Sequence, residues 1–393
     1  MCQSTPALAL APPAKDTIRV ATFNVALNRK EDGQLVRDLK QGDEQAKRIA
    51  TIVQLVQPDV LLANEVDYSD GEAATILRND YLNQPQSAQF KTKPCEFAFQ
   101  FTAPVNTGVP SGLDLNLNGR SNDSDDGWGF GAFPGQYGMA VYSKYAIAKS
   151  AVRSFQMFKW SQMPDAKRPK LLDKSTGQEK YFHSDDVWKQ LRLSSKSHWD
   201  VPIQVGNTTL HVLASHPTPP VFDGPEDRNG CRNHDEIRLL RDYVEATASA
   251  DYIVDDKGVA GPLARSAHFV IMGDLNSDPN DGSGISQGII DLLESKRVSS
   301  TLVPESLGAV KASQRQGKIN EKHKGNPAHD TGDFNDTAAG NLRIDFVLPS
   351  SNCKVVGGGV FWPTEDQLKD LDPKLADASD HHLVWMDIQL PKP

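Results

Sequence analysis

The stretch Val270-Ile-Met-Gly-Asp-Leu-Asn-Ser-Asp-Pro-Asn-Asp281 constrains the fold more than any other in the chain. His268 to Met272 is an apolar run with β-branched residues, and Gly273 ends it, so it reads as a buried strand. Asp274 and Asn276 follow with Leu275 between them. An extended chain turns alternate side chains to opposite faces, which aims the acid and the amide the same way and returns Leu275 to the core. Pro279, Asn280 and Gly282 then force a turn. A carboxylate and an amide held side by side on a rigid strand end suit a hydrolytic site. Taken alone, the same residues also read as a strand cap closing a turn.

Other strand ends carry polar residues of the same kind. Ile18 to Val25 alternates and delivers Asn24 at its end. Glu44 to Gln57 has apolar residues at helical spacing, Pro58-Asp59 stops it, and Val60 to Ala63 is a strand ending at Asn64-Glu65. A helix over Glu72–Leu82, a strand over Glu96–Phe101 and a core strand over Tyr137–Ser143 are expected next, with Ala146 to Val152 continuing across a short turn. Trp160 to Ser197 reads as a polar, Lys-rich insertion. Trp199–Val205 and Thr209–Ser215 form a hairpin around Gly206-Asn207, placing His216 at a strand end. Asn233 is expected to cap a helix from His234 to about Ala248, and Gly284–Leu293 to form another. Residues 303–340 read as loop. Leu342 to Leu348 is a buried strand with Asp345 at its centre, and a charge in that setting needs a partner. Val355 to Trp362 is a further strand, and Ser379-Asp380-His381-His382 opens the last, Leu383 to Leu390.

Composition narrows the class. With 393 residues and a net charge of −9, the chain can bury a large core and shows no broad cationic surface for polyanions. Its 29 glycines and 25 prolines fit long surface loops better than a helical bundle. No apolar run approaches membrane-spanning length. Met1-Cys2-Gln3-Ser4-Thr5 and the Ala/Pro segment up to Lys15 resemble the mature start of a bacterial lipoprotein, with Cys2 acylated as a peripheral membrane tether; an ordinary flexible tail is the alternative. Cys95, Cys231 and Cys353 form no Cys-x-x-Cys pair, which argues against structural zinc. At most one disulfide can join them, with the pairing open.

The long loop Pro104–Gln136 contains Asp114-Leu-Asn116-Leu-Asn118-Gly119-Arg120-Ser-Asn122-Asp-Ser-Asp125. Oxygen side chains at the first, third, fifth and ninth positions, with glycine at the sixth, match the start of an EF-hand calcium loop. Arg120 stands at the seventh position. The twelfth is Asp125 instead of the bidentate Glu, so a structural Ca²⁺ site is expected against the alternative of an Asn-rich turn.

Thr22-Phe-Asn24, Asn64-Glu65-Val, Ser215-His216-Pro, Gly273-Asp274-Leu-Asn276, Arg343-Ile-Asp345-Phe and Ser379-Asp380-His381 together supply acidic oxygens, amides and two imidazoles, with no thiolate. That set suits Mg²⁺, Mn²⁺ or Ca²⁺ more than zinc and can stabilise a phosphate under in-line attack. In this order the motifs resemble the endonuclease/exonuclease/phosphatase superfamily, with its deoxyribonuclease-like fold. The resemblance runs from about Ile18 to Gln389 and is closest to secreted bacterial members. It implies a four-layered α/β sandwich, two packed mixed β-sheets flanked by helices, as one catalytic domain over residues 16–393.

By that resemblance Glu65 is the main metal ligand, with Asn24 and Asp380 completing or orienting the site. His381 contacts the scissile phosphate and Asp345 holds its ring, Asp274 positions or deprotonates the attacking water, and Asn276 lies beside it. His216 donates to the phosphate or leaving group, and Tyr137 stands near the position of a tyrosine common in the family. The implied activity is metal-dependent hydrolysis of a phosphate ester, small or lipid-linked, by a monomer outside the cytoplasm. An extracellular nuclease acting on DNA or RNA is the alternative, with Arg228 and Arg232 as its phosphate-facing cations; an inactive binding module on the same fold is a third reading. The loops at 104–136, 160–197 and 303–340 exceed the minimal pattern and leave the substrate open.

Overall fold

Alternation within the apolar runs gives each strand face its own partner. In Ile18–Leu27, Val20 packs on one side while Ala21 and Phe23 pack on the other; in His268–Asp274, Val270 and Met272 oppose Phe269 and Ile271. Strands that are apolar on both faces must be covered on both, and here they are. The structure, a computed structural model, describes residues 13–88 and 90–391. The acylation expected at Cys2 falls outside the described residues.

Two mixed sheets result. The first runs Lys354–Phe361, Leu383–Gln389, Ile18–Leu27, Val60–Val66, Met139–Ser143, Phe99–Phe101. The second runs Asp345–Pro349, His268–Asp274, Thr208–Ser215, His198–Val205, Ala146–Ile147, with Arg153–Ser154 also on His198–Val205. Ile18–Leu27 pairs parallel with Val60–Val66, and Thr208–Ser215 parallel with His268–Asp274; the other pairings are antiparallel. Val20, Leu62 and Val141 of the first sheet meet Val201, Val212, Val270 and Met272 of the second in one buried layer. Helices Gln34–Lys40 and Glu44–Val56 cover the outer face of the first sheet, and Arg228–Glu245 and Gln287–Leu293 that of the second. This is the four-layered sandwich that the motifs imply. Among the described residues no helix is long and apolar enough to cross a membrane.

Several boundaries move. The Ala146–Val152 strand shortens to Ala146–Ile147, followed by a 3₁₀ turn at Lys149–Ala151. The Lys-rich insertion holds a hairpin, Lys170–Asp173 with Gln178–Tyr181, exposed on most of its side chains and so without an apolar face to announce it. The helix expected from His234 begins at Arg228, and Asn233 lies inside it. Its amide is spent elsewhere, donating to the Thr218 and Leu275 carbonyls at 2.8 and 2.9 Å. Residues 303–340 are not only loop: Leu307–Gln316 is a helix capped by Ser306, and only small residues, Gly308, Ala309 and Ala312, are buried on it. The Leu342–Leu348 run splits, Asn341–Leu342 pairing with Gly332–Asp333 while the core strand starts at Asp345. Cys95, Cys231 and Cys353 are free thiols.

Candidate active site

The sheets bring their strand ends together at one edge of the sandwich. Asn24 and Asn64 sit opposite each other in the first sheet, and Asp274 opposite Asp345 in the second. Gly273 makes the second pairing possible: at φ +148° it passes so close to the Ser215 carbonyl that a Cβ would lie 1.9 Å from the oxygen. Asn64 spans the gap between sheets, its Nδ2 donating to the Ser215 carbonyl at 3.3 Å and its Oδ1 accepting from the Asp274 N–H at 3.4 Å.

Around this junction Asn24, Glu65, His216, Asp274, Asp345 and His381 converge. Asn24 Nδ2 lies 3.1 Å from Glu65 Oε1, 3.1 Å from Asp274 Oδ2 and 3.4 Å from His381 Nε2. His216 Nε2 is 3.4 Å from Asp274 Oδ2 and 3.9 Å from Glu65 Oε1. His381 Nδ1 meets Asp345 Oδ2 at 2.9 Å, and Thr331 Oγ1 donates to the same oxygen at 2.8 Å. Asp345 thus has the partner its burial demanded. Ser379 fixes the turn that delivers His381, donating from Oγ to the Asn24 carbonyl at 2.8 Å and accepting from the His381 N–H at 3.1 Å.

The charges in this buried space are set against one another. Burial opposes an imidazolium at His381, but the Asp345 and Asp274 carboxylates outweigh it and push the ring up to about 10. Burial raises Asp345 to about 6 against the pull of His381. Asp274 is as deeply buried, yet His381 and His216 hold its carboxyl below the usual carboxylate range. Burial, helped by Lys196, lowers His216 against the pull of Asp274 and Glu65.

Asp274, Asp345 and His381 bring ligand atoms within 4.8 Å of one another. Asp345 Oδ2 is already taken by His381 and Thr331, so this trio is better described as an imidazole–carboxylate pair beside a second carboxylate. Glu65 offers a cation more: among the described residues its oxygens face the Asn24 and Asn28 amides and His216, the Asn28 Nδ2 at 2.7 Å from Oε2. Turning the Asn24 amide over would present its oxygen to the same space. Oxygen donors without a thiolate fit Mg²⁺, Mn²⁺ or Ca²⁺.

Glu65, Tyr137 and Asn276 hold positive φ angles of 62°, 56° and 52°. Non-glycine residues seldom adopt that region, and such conformations gather at functional sites. For Asn276 it corrects the alternation argument: the chain leaves the extended state there. Leu275 is buried as expected, while the Asn276 amide donates to the Pro217 carbonyl at 3.2 Å. Tyr137 is half-buried beside Glu65, its N–H donating to Asp67 Oδ1 at 3.1 Å, and burial with the Glu65 and Asp67 charges raises its phenol.

Asp380 stands apart from the converging six. It is exposed, and its carboxylate hydrogen-bonds to no described residue. Because Ser379 turns His381 inward, Asp380 points outward into a neighbouring cavity of about 590 Å³ lined also by Trp362, Leu375 and His382. Arg228 and Arg232 are also committed elsewhere. Arg228 pairs with Glu226 and Asp125, and the Arg232 guanidinium donates to the Leu193, Trp128 and Arg192 carbonyls.

The Asp114–Asp125 loop closes partly as expected. Asp114 accepts from the Asn118 and Gly119 N–H groups at 3.0 and 2.8 Å, Asn116 from Asn118 at 3.1 Å, and Asn118 from Arg120 at 2.9 Å, with Gly119 at φ +86°. The fourth side chain is Asp123, 2.6 Å from Asn118 Nδ2; Asn122 is exposed and Asp125 reaches Arg228. Sequence reasoning missed Asn28, Thr331 and Lys196. Each lies in a stretch without strand periodicity, so no local signal aimed it at the site.

The model of the endonuclease/exonuclease/phosphatase family matches residues 21–381. No curated protein matches the sequence. An endonuclease/exonuclease/phosphatase from Beutenbergia cavernae DSM 12333 is similar in structure with a TM-score of 0.50 at 17% identity, over 96% of this chain and 72% of that one. Sphingomyelinase C from Streptomyces griseocarneus gives a TM-score of 0.46 at 13% identity, over 94% and 99%. A beta toxin from Staphylococcus aureus, in a structure with bound magnesium ions, gives 0.45 at 14%, over 95% and 99%. Members of the matching family are generally hydrolases of phosphate esters. With the match spanning most of the chain and every motif of the site from Thr22 to His381, the chain belongs to the endonuclease/exonuclease/phosphatase family.

Proposed function

We propose that this protein hydrolyses a small or lipid-linked phosphate ester by in-line attack of water, with a divalent cation held at Glu65. The observation that carries the reading is the meeting of Glu65, His216, Asp274 and the His381–Asp345 pair at the junction of the two sheets. Asp274, kept ionised, accepts the proton of the attacking water. The His381 imidazolium donates to a phosphoryl oxygen, and Asp345 holds it in the orientation that does so. His216, 3.4 Å from Asp274, donates toward the leaving side. Glu65 with Asn24 and Asn28 would hold the cation, which supplies Lewis-acid charge at the phosphate when bound. Deep burial of these groups keeps water from screening them.

A panel of phosphate mono- and diesters, run with Mg²⁺, Mn²⁺ and Ca²⁺ and with chelator, tests the reading. Cation-dependent turnover of at least one ester is expected, and plasmid nicking in the same panel separates a nuclease from a small-ester hydrolase. No turnover of any ester with any of the three cations would overturn it.

A further inference from the structure

The segment Leu193–His198 is buried although it is not a regular strand until its last residue. Irregular backbone is seldom buried, because its polar groups then need partners. Here three side chains from elsewhere supply them. Asn106 Nδ2 donates to the Ser194 carbonyl at 2.7 Å and the Asn106 N–H to the Lys196 carbonyl at 2.9 Å. Arg232 Nε donates to the Leu193 carbonyl at 2.7 Å. The Glu236 carboxylate accepts from the Ser195 N–H and the Thr218 N–H, both at 2.7 Å, and so clamps this segment to the residues that follow His216. Ser195 Oγ reaches the His216 carbonyl at 3.5 Å.

This scaffold holds one side chain that has no protein partner. Lys196 is 6% exposed, yet its ammonium makes no hydrogen bond or ion pair with any described residue. A lysine buries its stem readily, but its ammonium then normally reaches a carboxylate or open water. The carboxylates whose charge acts on it are Glu236, Glu65 and Asp274: one belongs to the clamp and two to the active site. The guanidinium of Arg232, half-buried, is occupied by backbone carbonyls and leaves the task of meeting an anion to Lys196.

We infer that Lys196 contacts the substrate, its ammonium binding a phosphoryl oxygen on the His216 side of the site, opposite the His381–Asp345 pair. This rests on the phosphoesterase reading for its effect on turnover, but the anion site itself does not. A compact ammonium on a flexible stem suits a phosphate oxygen as a point charge. It explains why the chain stabilises an awkward buried loop and leaves its one cation unpaired.

The test compares Lys196→Met, Lys196→Arg and wild type in two assays. The first is binding of inorganic phosphate, measured by calorimetry and as inhibition of any turnover. The second is kcat/KM for an aryl phosphodiester with Mg²⁺. Lys196→Met should weaken phosphate binding at least 10-fold and lower kcat/KM about 100-fold, the scale of removing one transition-state donor. Its melting temperature should hold, since methionine keeps an apolar stem of similar length in the buried position. Lys196→Arg should recover part of both losses, and it keeps the test decisive if the methionine variant fails to fold. Phosphate binding that depends on Lys196 in a protein that turns over no ester would sustain this inference while the phosphoesterase reading fell. Unchanged phosphate binding in Lys196→Met, or a fall in melting temperature with both functional readouts intact, would overturn it.

Discussion

Replacing Asp345 by asparagine keeps the side-chain volume and removes one negative charge from the most enclosed part of the site. Asp345 Oδ2 accepts from His381 Nδ1 at 2.9 Å and from Thr331 Oγ1 at 2.8 Å. An asparagine that offers its oxygen there keeps both contacts but loses the charge assistance to His381. A hydrogen bond to a charged group contributes about 1.5–3 kcal/mol, and each 1.36 kcal/mol is tenfold in rate. On that scale kcat should fall about 10- to 150-fold. An asparagine that offers its NH₂ instead favours the wrong imidazole tautomer, and the loss can then approach about 10⁴-fold. The assay is steady-state hydrolysis of an aryl phosphodiester by wild type, Asp345→Asn, His381→Ala and the double variant. Because the two residues act as one unit, the double variant should be no slower than His381→Ala by more than about threefold. Full activity in Asp345→Asn, or losses that multiply in the double variant, would refute the pairing as the source of His381's role.

Glu65→Gln should abolish cation-dependent hydrolysis with the circular-dichroism spectrum preserved, because the amide oxygen keeps one of the two contacts, to Asn24 or Asn28, but not the charge that holds a cation; wild-type turnover at saturating Mg²⁺ would sink the assignment. Added Ca²⁺ should raise the melting temperature of wild type through binding to the folded state and raise that of Asp114→Ala by less, since only the Glu65 site is left to it, while that variant keeps Mg²⁺-supported turnover; equal shifts in both would make the loop a turn held only by its own hydrogen bonds. Burial, reinforced by Asp278 and Asp281, pushes Asp330 up to about 8, above its unfolded value of about 3.9. The folded state therefore binds the proton more tightly, so this contribution to stability is complete below about pH 4 and is lost as the pH rises through 8. Asp330→Asn should melt several degrees above wild type at pH 9, with the gap narrowing toward pH 5; a gap that does not change with pH would refute the shift.

What the sequence disclosed followed from periodicity. The strands ending at Asn24, Glu65, His216 and Asp274 alternate or run apolar against turn residues, so both the sheets and the side chains at their tips could be placed. Asp345 was found as a charge that needed company, and its company is His381. The helix Leu307–Gln316 escaped because it turns only small residues to the core and exposes Leu307. Asp380 was given a place at the metal by the family resemblance; here it lines the cavity beside the site, and its charge still acts on His381. Thr331 acts through tertiary contacts formed by a segment with no period of its own. Asn276 was aimed by strand alternation that stops one residue too soon for it.

The contacts of Asn64 carry a consequence for how this protein fails when heated. The group that would grip a cation rides on one sheet, while the base and one imidazole ride on the other, and the apolar filling, with Asn64 and the Asn24–Asp274 and His381–Asp345 contacts at its rim, sets the distance between them. The site therefore works like the jaws of a calliper whose opening is set by the thickness of the filling. A swelling of that layer by a fraction of an ångström would part the jaws while each sheet kept its own hydrogen-bond ladder. Catalysis should thus decay at temperatures where circular dichroism still reports an intact backbone. Enlarging a side chain deep in the layer, such as Ala214→Val, should lower that inactivation temperature although it touches no reacting group.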